Sequence, residues 1–323
     1  MRVAVLGTGH LGREHARVYA ELAEAELVGV YDPDPAAAAA AAARAGCQAF
    51  PHRDALLDRA EAVSVCVPTP LHLEVASACL EAGLHVLVEK PIAANVEEAR
   101  RLRDLAQRRQ RLLQVGHVER FNPAMRAAAQ HLHAPRFVEC HRLAPFGRRG
   151  ADVAVVLDLM IHDLDLLLDC IGVDIDSIAA SGVAVLGGST DIAHTRLRFA
   201  NGCVANLTAS RISLERMRKI RFFQRHSYLS VDLLREEVAM VRRRPGFDPE
   251  AFQAALGRGE APDPLTALEP VPVPVVREEP LRAELQSFLA AARDGTPPLV
   301  GADAGIRALE AACEIERLLQ EES

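Results

Sequence analysis

Lys90, in Glu89-Lys90-Pro91, is one of two lysines in the chain, the other being Lys219; arginine supplies nearly all the positive charge. It follows His85-Val86-Leu87-Val88, a mostly apolar run bounded by Gly83 and Pro91. That pattern predicts a strand buried on both faces of a parallel sheet. Ligands of open α/β sheets bind outside the carboxyl ends of the strands, so a lysine there can stabilise charge developing on a substrate oxygen. A solvated Glu–Lys pair closing an ordinary strand is the competing reading. Asp158, His162 and Asp165 form a second constellation at i, i+4 and i+7, which puts carboxylate, imidazole and carboxylate on one helical stripe. Leu157, Ile161, Leu164 and Leu168 form the apolar face. A histidine one turn from an aspartate suits general acid/base work, because the carboxylate orients the ring and supports its charged form. A stripe that merely faces solvent is the alternative.

A third set of residues can hold a dinucleotide. The apolar strand Arg2 to Leu6 runs into Gly7-Thr8-Gly9-His10-Leu11-Gly12 and then a helical pattern from Glu14 to Ala23. In this strand, turn and helix setting, the glycines allow the tight turn, close approach of a pyrophosphate and close helix packing, while the helix N-terminus offers its N–H groups to phosphate. A second strand, Glu26 to Tyr31, ends in Asp32, where a carboxylate would accept from the ribose 2′-hydroxyl. Asp32 and Asp34 would repel an added 2′-phosphate, and the nearest arginine downstream is Arg44, so the cofactor expected is NAD. A third strand, Ala62 to Val67, ends in Pro68-Thr69-Pro70-Leu71-His72. Its prolines fix an extended loop that can line the ribose or nicotinamide. His72 in that loop also reads as an N-terminal helix residue.

Strands and helices alternate up to Leu112-Leu113-Gln114-Val115-Gly116-His117, which specifies a doubly wound parallel sheet. Asp34-Pro35 is an N-cap with a first-turn proline, so Ala36 to Ala43 is a helix. After Glu119 the rhythm changes. From Ser177 strands dominate, including Thr195 to Phe199 and Cys203 to Ser210 around Asn201-Gly202, a pair that favours a two-residue type I′ hairpin. Before them Arg136 to Leu143 reads as a separate strand, and Arg216 to Gln224, Ser227 to Asp232 and Glu237 to Arg242 extend the antiparallel set to five or more strands. Arg211, Arg216, Arg218, Lys219, Arg221 and Arg225 make its middle basic, which fits a solvated face and an anion-binding face equally. Gly246 to Thr266 reads as a long irregular segment, Val271 to Val276 as an edge strand or strap, and Leu281 to Arg293 and Ala302 to Leu319 as helices. The expectation is an α/β protein with a dinucleotide-binding Rossmann domain over 1–119 and a substrate-binding and oligomerisation domain with a large open sheet over 120–323.

The chain has 323 residues, half of them hydrophobic, and a formal net charge of -7. That charge argues against non-specific nucleic-acid binding. No apolar run reaches the length of a membrane span, and with no basic n-region and hydrophobic core at the start the expected location is the cytoplasm. Seven scattered cysteines without a Cys-x-x-Cys read as reduced thiols. His131, His133 and His141 lack the cysteine or carboxylate pattern of a metal site, and no metal is expected.

On the Gly7 to Gly12 loop, Glu89-Lys90-Pro91, Asp158-x-x-x-His162 and the ending Leu281 to Leu319 around Asp294-Gly295, the chain resembles the glucose-fructose oxidoreductase and inositol 2-dehydrogenase (Gfo/Idh/MocA) family of NAD(P)-dependent sugar oxidoreductases. The resemblance implies that Lys90, Asp158 and His162 meet at the nicotinamide as catalytic and substrate-binding residues. It also implies that Gly7, Gly9, His10, Leu11, Gly12, Asp32, Pro68, Thr69, His72 and Glu89 line the cofactor. Arg120-Phe121-Asn122-Pro123, Asp158 to Asp163 and Ser210-Arg211-Ile212 look most like the branch acting on UDP-sugars, so Arg120 and Asn122 are expected to bind substrate. A free sugar or polyol is the other substrate class, and a non-catalytic NAD-binding protein the reading from another class. A homo-oligomer formed through the second sheet is the expected assembly. The chain departs from the family at Ala151-Asp152-Val153-Ala154, where many members have glycines, and at Met160, where a glycine is common.

Overall fold

The computed structural model describes residues 1–147, 153–186, 188–260 and 263–321. Ala151 and Asp152, part of the departure from the glycine-rich run, lie outside them. The described residues form an α/β protein with two sheets, grouped in two compact units. The first unit comprises 1–121, 164–169 and 278–317; the second comprises 122–163, 170–277 and 318–323. The units do not coincide with a division at residue 119, because the chain returns to the first unit near its end.

The first unit is built on five parallel strands, β1 (Arg2–Leu6), β2 (Glu26–Tyr31), β3 (Ala62–Val65), β4 (His85–Glu89) and β5 (Leu113–Gly116), in the order β2-β1-β3-β4-β5. Val86, Leu87 and Val88 of β4 are fully buried, as expected for a strand covered on both faces. Helices α1 (His10–Glu21), α2 (Pro35–Ala45), α3 (Arg53–Leu57), α4 (His72–Glu81) and α5 (Val96–Arg109) connect them. Asp34 caps α2 through the Ala36 N–H at 2.9 Å, and Asn95 caps α5 through the Glu98 N–H at 2.9 Å. The C-terminal helices complete this unit: Leu285, Phe288 and Leu289 join Val3, Val5, Ala16, Tyr19 and Leu87 in one buried cluster. The Val115 N–H donates to the Val300 carbonyl at 2.9 Å, so the later segment pairs alongside β5.

The second unit has α6 (Pro123–Ala129) and an eight-stranded sheet: β6 (Phe137–Leu143), β7 (Ile175–Val183), β8 (Ile192–Phe199), β9 (Val204–Ser210), β10 (Met217–Phe223), β11 (Ser227–Asp232), β12 (Glu237–Arg243) and β13 (Leu268–Val271). The order is β13-β12-β11-β10-β6-β9-β8-β7, antiparallel except for the β6–β9 pair. Strand residues alternate faces. Val138, Cys140, Leu197, Leu207, Ile220 and Phe222 are buried on one face, while Glu139, His141, Arg196, Lys219 and Arg221 occupy the other. Helix α7 (Ile161–Ile171) contributes residues to both units.

Three local expectations need correction. The β8–β9 connection is not a type I′ turn, since only Gly202 takes a positive φ, at 80°. The Gly202 N–H donates to the Phe199 carbonyl and the Phe199 N–H to the Cys203 carbonyl, which makes a three-residue turn closed by a left-handed glycine. Within 246–266 the structure has α8 (Pro249–Gly257) and the short α9 (Pro264–Ala267), because Asp248 accepts from the Glu250 and Ala251 N–H groups and Pro249 occupies the first turn. The regular strand near 271 ends at Val271 instead of running to Val276. Among the described residues, no helix is long and apolar enough to cross a membrane.

Candidate active site

The glycine loop in the first unit has the expected geometry. A Cβ on Gly7 (φ 87°) would lie 2.6 Å from the Cys66 carbonyl oxygen, and one on Gly12 would lie 1.8 Å from the Gly7 oxygen, so strand, turn and helix are packed backbone on backbone. At Gly9 an added Cβ would meet nothing within 4 Å. Gly9 is also the N-cap of α1 and brings no side chain to its N–H groups, leaving them to face a phosphate. Asp32 is fixed beside this turn: one oxygen accepts from the Thr8 N–H at 2.6 Å and the Thr8 hydroxyl at 3.0 Å, and the other from the Asp34 N–H at 2.9 Å. These features fit an NAD molecule, with its pyrophosphate over Gly9 and its adenosine ribose at Asp32. His10 is exposed at the helix start beside the exposed Leu11.

His72 has a different situation from the one its cofactor-binding assignment implies. Its ring is buried, with Nδ1 2.8 Å from the Pro91 carbonyl and Nε2 3.0 Å from the Val67 carbonyl. Burial, only partly offset by these carbonyls, pulls its pKa down. The ring thus lies between the loop after β3, which carries Pro68 and Thr69, and the segment after Lys90.

Glu89 is likewise directed inward. Its Oε1 lies 3.0 Å from His15 Nε2 in α1, and its Oε2 accepts from the Lys90 N–H at 3.2 Å. Burial pushes this carboxyl up, but the hydrogen bond and charge of His15, with Lys90, outweigh it and hold the group below its ordinary value. At the end of β5, His117 is buried and its pKa is pulled down by burial; its charged neighbours include Asp165, Arg120, Lys90 and Glu89.

Arg120 is committed within the first unit. Its Nε and Nη2 donate to Asp165 at 2.6 and 3.0 Å, and Nη1 pairs with Asp169. Three donors of a nearly buried guanidinium are thus spent on protein carboxylates. Asp165 in turn is an arginine partner, and its place on an acid/base stripe is corrected.

In the second unit Asp158 sits in a π-helical turn, Val156–Met160, that precedes α7, and His162 follows in the first turn of α7. Both are partly exposed, whereas Met160 and Ile161 are buried. Met160 turns onto the sheet, where its sulfur accepts from the Thr195 hydroxyl at 3.5 Å. Two buried arginines brace this region. Arg142 of β6 pairs with Asp163, next to His162, at 3.0 and 2.7 Å. Arg211 pairs with Asp191 at 2.9 Å and donates to the Val153 carbonyl at 2.5 Å and the Thr190 carbonyl at 3.1 Å. Asn122 caps α6 and its amide donates to the Leu233 carbonyl at 3.0 Å. The basic set on the sheet is divided: Arg211 is in this clamp, Lys219 lies 3.6 Å from Asp232, and Arg221 lies 3.5 Å from Glu139. Arg211, buried in that clamp, is not part of an exposed anion-binding face.

Residues 1–117 match the model of the oxidoreductase family with an NAD-binding Rossmann fold, and 126–225 match the Gfo/Idh/MocA C-terminal domain. UDP-N-acetylglucosamine 3-dehydrogenase of Acidithiobacillus ferrooxidans is 39% identical over 98% of this chain and 96% of that protein. Its solved structure superposes with a TM-score of 0.89, covering 99% of this chain and 98% of that one. The chain belongs to the Gfo/Idh/MocA family. Another Gfo/Idh/MocA relative, myo-inositol 2-dehydrogenase of Thermotoga maritima, is 23% identical over 99% of this chain and 97% of its own. As a Gfo/Idh/MocA oxidoreductase the protein uses NAD, and the open backbone at Gly9 and the fixed Asp32 carboxylate fit that cofactor.

Three buried polar residues in the first unit did not stand out from the sequence: His15, His117 and Glu284. Two carried a usable signal, since His15 falls on the apolar stripe of α1 with Gly12, Ala16 and Tyr19, and Glu284 on that of α10 (Pro280–Asp294) with Leu281, Leu285 and Phe288. Glu284 is fully buried, and among the described residues neither of its carboxyl oxygens has a hydrogen-bond partner. Burial, then the charges of Glu89 and Asp165, push its carboxyl well above the ordinary range. The later helix α11 (Ala302–Glu321) packs close through Gly305, where a Cβ would lie 2.7 Å from Val115.

Proposed function

We propose that the protein oxidises a hydroxyl-bearing carbon of a UDP-sugar, in the manner of UDP-N-acetylglucosamine 3-dehydrogenase. The observation that carries this reading is the 39% identity to that enzyme over nearly the full length of both chains. NAD, when bound, accepts the hydride from the sugar carbon. The chain's own residues must then move the hydroxyl proton and stabilise the developing alkoxide. We assign proton transfer to His162, electrostatic stabilisation to Lys90, and orientation of the imidazole or hydroxyl to Asp158. Arg120 and Asn122 remain substrate-side candidates, and His10, Leu11, Pro68 and Thr69 remain cofactor-side candidates. The 119/120 division becomes a proposal about roles alone: cofactor binding before it, substrate binding and assembly after it. The protein is assigned to the cytoplasm, as a homo-oligomer assembled through the second sheet, and its 3-keto product would serve an amination leading to lipid A.

Support for the residue assignment comes from the two buried clamps that fix the turn bearing Asp158 and His162, Arg142 with Asp163 and Arg211 with the Val153 carbonyl. A free polyol is the second reading, favoured by the full-length likeness to myo-inositol 2-dehydrogenase. Following NAD reduction at 340 nm with UDP-N-acetylglucosamine, UDP-glucose, N-acetylglucosamine and myo-inositol separates the two. A kcat/KM at least a hundredfold higher for UDP-N-acetylglucosamine than for either free ring is expected. Preference for a free ring overturns the UDP-sugar reading, and no reduction with any of them overturns the catalytic one.

A further inference from the structure

The first unit contains a buried hydrogen-bonded pair that neither the glycine loop nor the proton-transfer assignment uses. His15 is fully buried, and its Nε2 lies 3.0 Å from Glu89 Oε1. Glu89 accepts from the Lys90 N–H at 3.2 Å, and because its carboxyl is held below its ordinary value the ring nitrogen of His15 facing it is the donor. The ring stands edge-on to Tyr19, whose hydroxyl bonds Ser64 at 2.9 Å. The carboxylate is confined: a Cβ on Gly116 would lie 3.1 Å from Glu89 Oε2.

We propose that His15 is a positioning residue for Lys90, acting through Glu89. One oxygen of the carboxylate is anchored to α1 and the other holds the peptide N–H of Lys90. The backbone that carries the ammonium is thereby set in the same frame as the helix that follows the dinucleotide loop. This inference rests on the catalytic role proposed for Lys90. Displacements of about 1 Å in a catalytic constellation can cost on the order of a hundredfold in rate, so the anchor should act on turnover and spare binding. The His15 imidazole, the Cys66 thiol and the Glu89 carboxylate also lie within 4.8 Å of one another, a grouping with the donor types of a metal site. On the positioning reading no ion is needed.

The test compares four variants of the full chain, with NAD affinity and thermal unfolding as controls. His15→Phe keeps a ring and removes the donor; kcat is expected to fall at least tenfold, with KM for the sugar nucleotide and Kd for NAD within threefold. His15→Gln restores an N–H at the same reach and should recover kcat to within threefold of the parent. His15→Asn is too short to reach Glu89 and should be at least tenfold slower than His15→Gln, a comparison that stands if His15→Phe does not fold. A kcat for His15→Phe within twofold of the parent, or equal rates for Gln and Asn, overturns the proposal. Lys90→Ala separates the two levels: if it is slow while His15→Phe is normal, positioning alone fails; if it turns over normally, the role of Lys90 fails and this inference with it. Dialysis against a chelator should leave kcat unchanged, and a loss restored by zinc would replace positioning with a metal site.

Discussion

Arg120 offers the most quantitative test. Its side chain is 7% exposed and that of Asp165 1%, with two parallel hydrogen bonds of 2.6 and 3.0 Å between them. Replacing Arg120 with methionine fills similar volume but strands the Asp165 carboxylate in the interior. Breaking one side of a buried pair costs about 3 to 5 kcal/mol. The second carboxylate, Asp169, is 55% exposed, so its share is roughly 0 to 1 kcal/mol. Arg120→Met should thus lose about 3 to 5 kcal/mol, nearly all of it through Asp165, and Asp169→Asn less than about 1 kcal/mol. Arg120→Met with Asp165→Leu removes both charges and should recover most of the loss, since an apolar replacement of the whole pair is close to neutral. The assay is equilibrium urea unfolding followed by far-ultraviolet circular dichroism, as the chain has no tryptophan. A coupling energy below about 1 kcal/mol would refute the reasoning. So would a fully stable Arg120→Met with a tenfold higher KM, which would give the arginine a role in substrate binding alone.

NAD should bind more tightly than NADP, because Asp32 repels a 2′-phosphate; Asp32→Asn should narrow the ratio, and equal affinities of the parent for the two cofactors would contradict the assignment. Burial raises the Glu284 carboxyl in the fold and not in the unfolded chain, so the folded state holds the extra proton between the unfolded and the raised folded pKa. In that window stability falls as pH rises, by at most about 1.4 kcal/mol per pH unit from this group. Glu284→Gln should accordingly stabilise the protein more at pH 8 than at pH 5 in urea melts, and an equal effect at both would show that Glu284 does not titrate. Lys219→Gln and Arg221→Gln should leave KM for a UDP-sugar within about threefold, because each cation already faces a carboxylate; a tenfold rise for either would restore the anion-binding face.

Local chemistry made much of the architecture readable. The five parallel strands announced themselves as short apolar runs alternating with capped helices, and Asp34-Pro35 turned an alanine tract into a definite helix. Asp248-Pro249 carries the same capping signal, and α8 was hidden only by the Pro, Gly and Asp content around it. At the candidate site, spacing brought Asp158 and His162 to notice, but a 3.6-residue period could not foresee a π-helical turn beneath them. Nor could it show that Asp163 and Asp165 are claimed by Arg142 and Arg120, because those partners lie 21 and 45 residues away. The buried face of α10 was visible as a stripe, whereas the strand it covers is a matter of long-range packing.

That packing has a consequence for how the protein is made. Leu285 and Phe288 close over α1 and β1, yet they leave the ribosome only after the second unit's stretches 122–163 and 170–277 have been synthesised. At about 5 to 20 residues per second, the roughly 150 intervening residues take on the order of ten to thirty seconds. For that interval the nascent chain presents Val3, Val5, Ala16 and Tyr19 without their final cover, a natural binding place for a chaperone. A fragment ending near residue 121 would keep that exposed surface permanently, whereas 1–121 joined directly to 278–317 would carry its own seal.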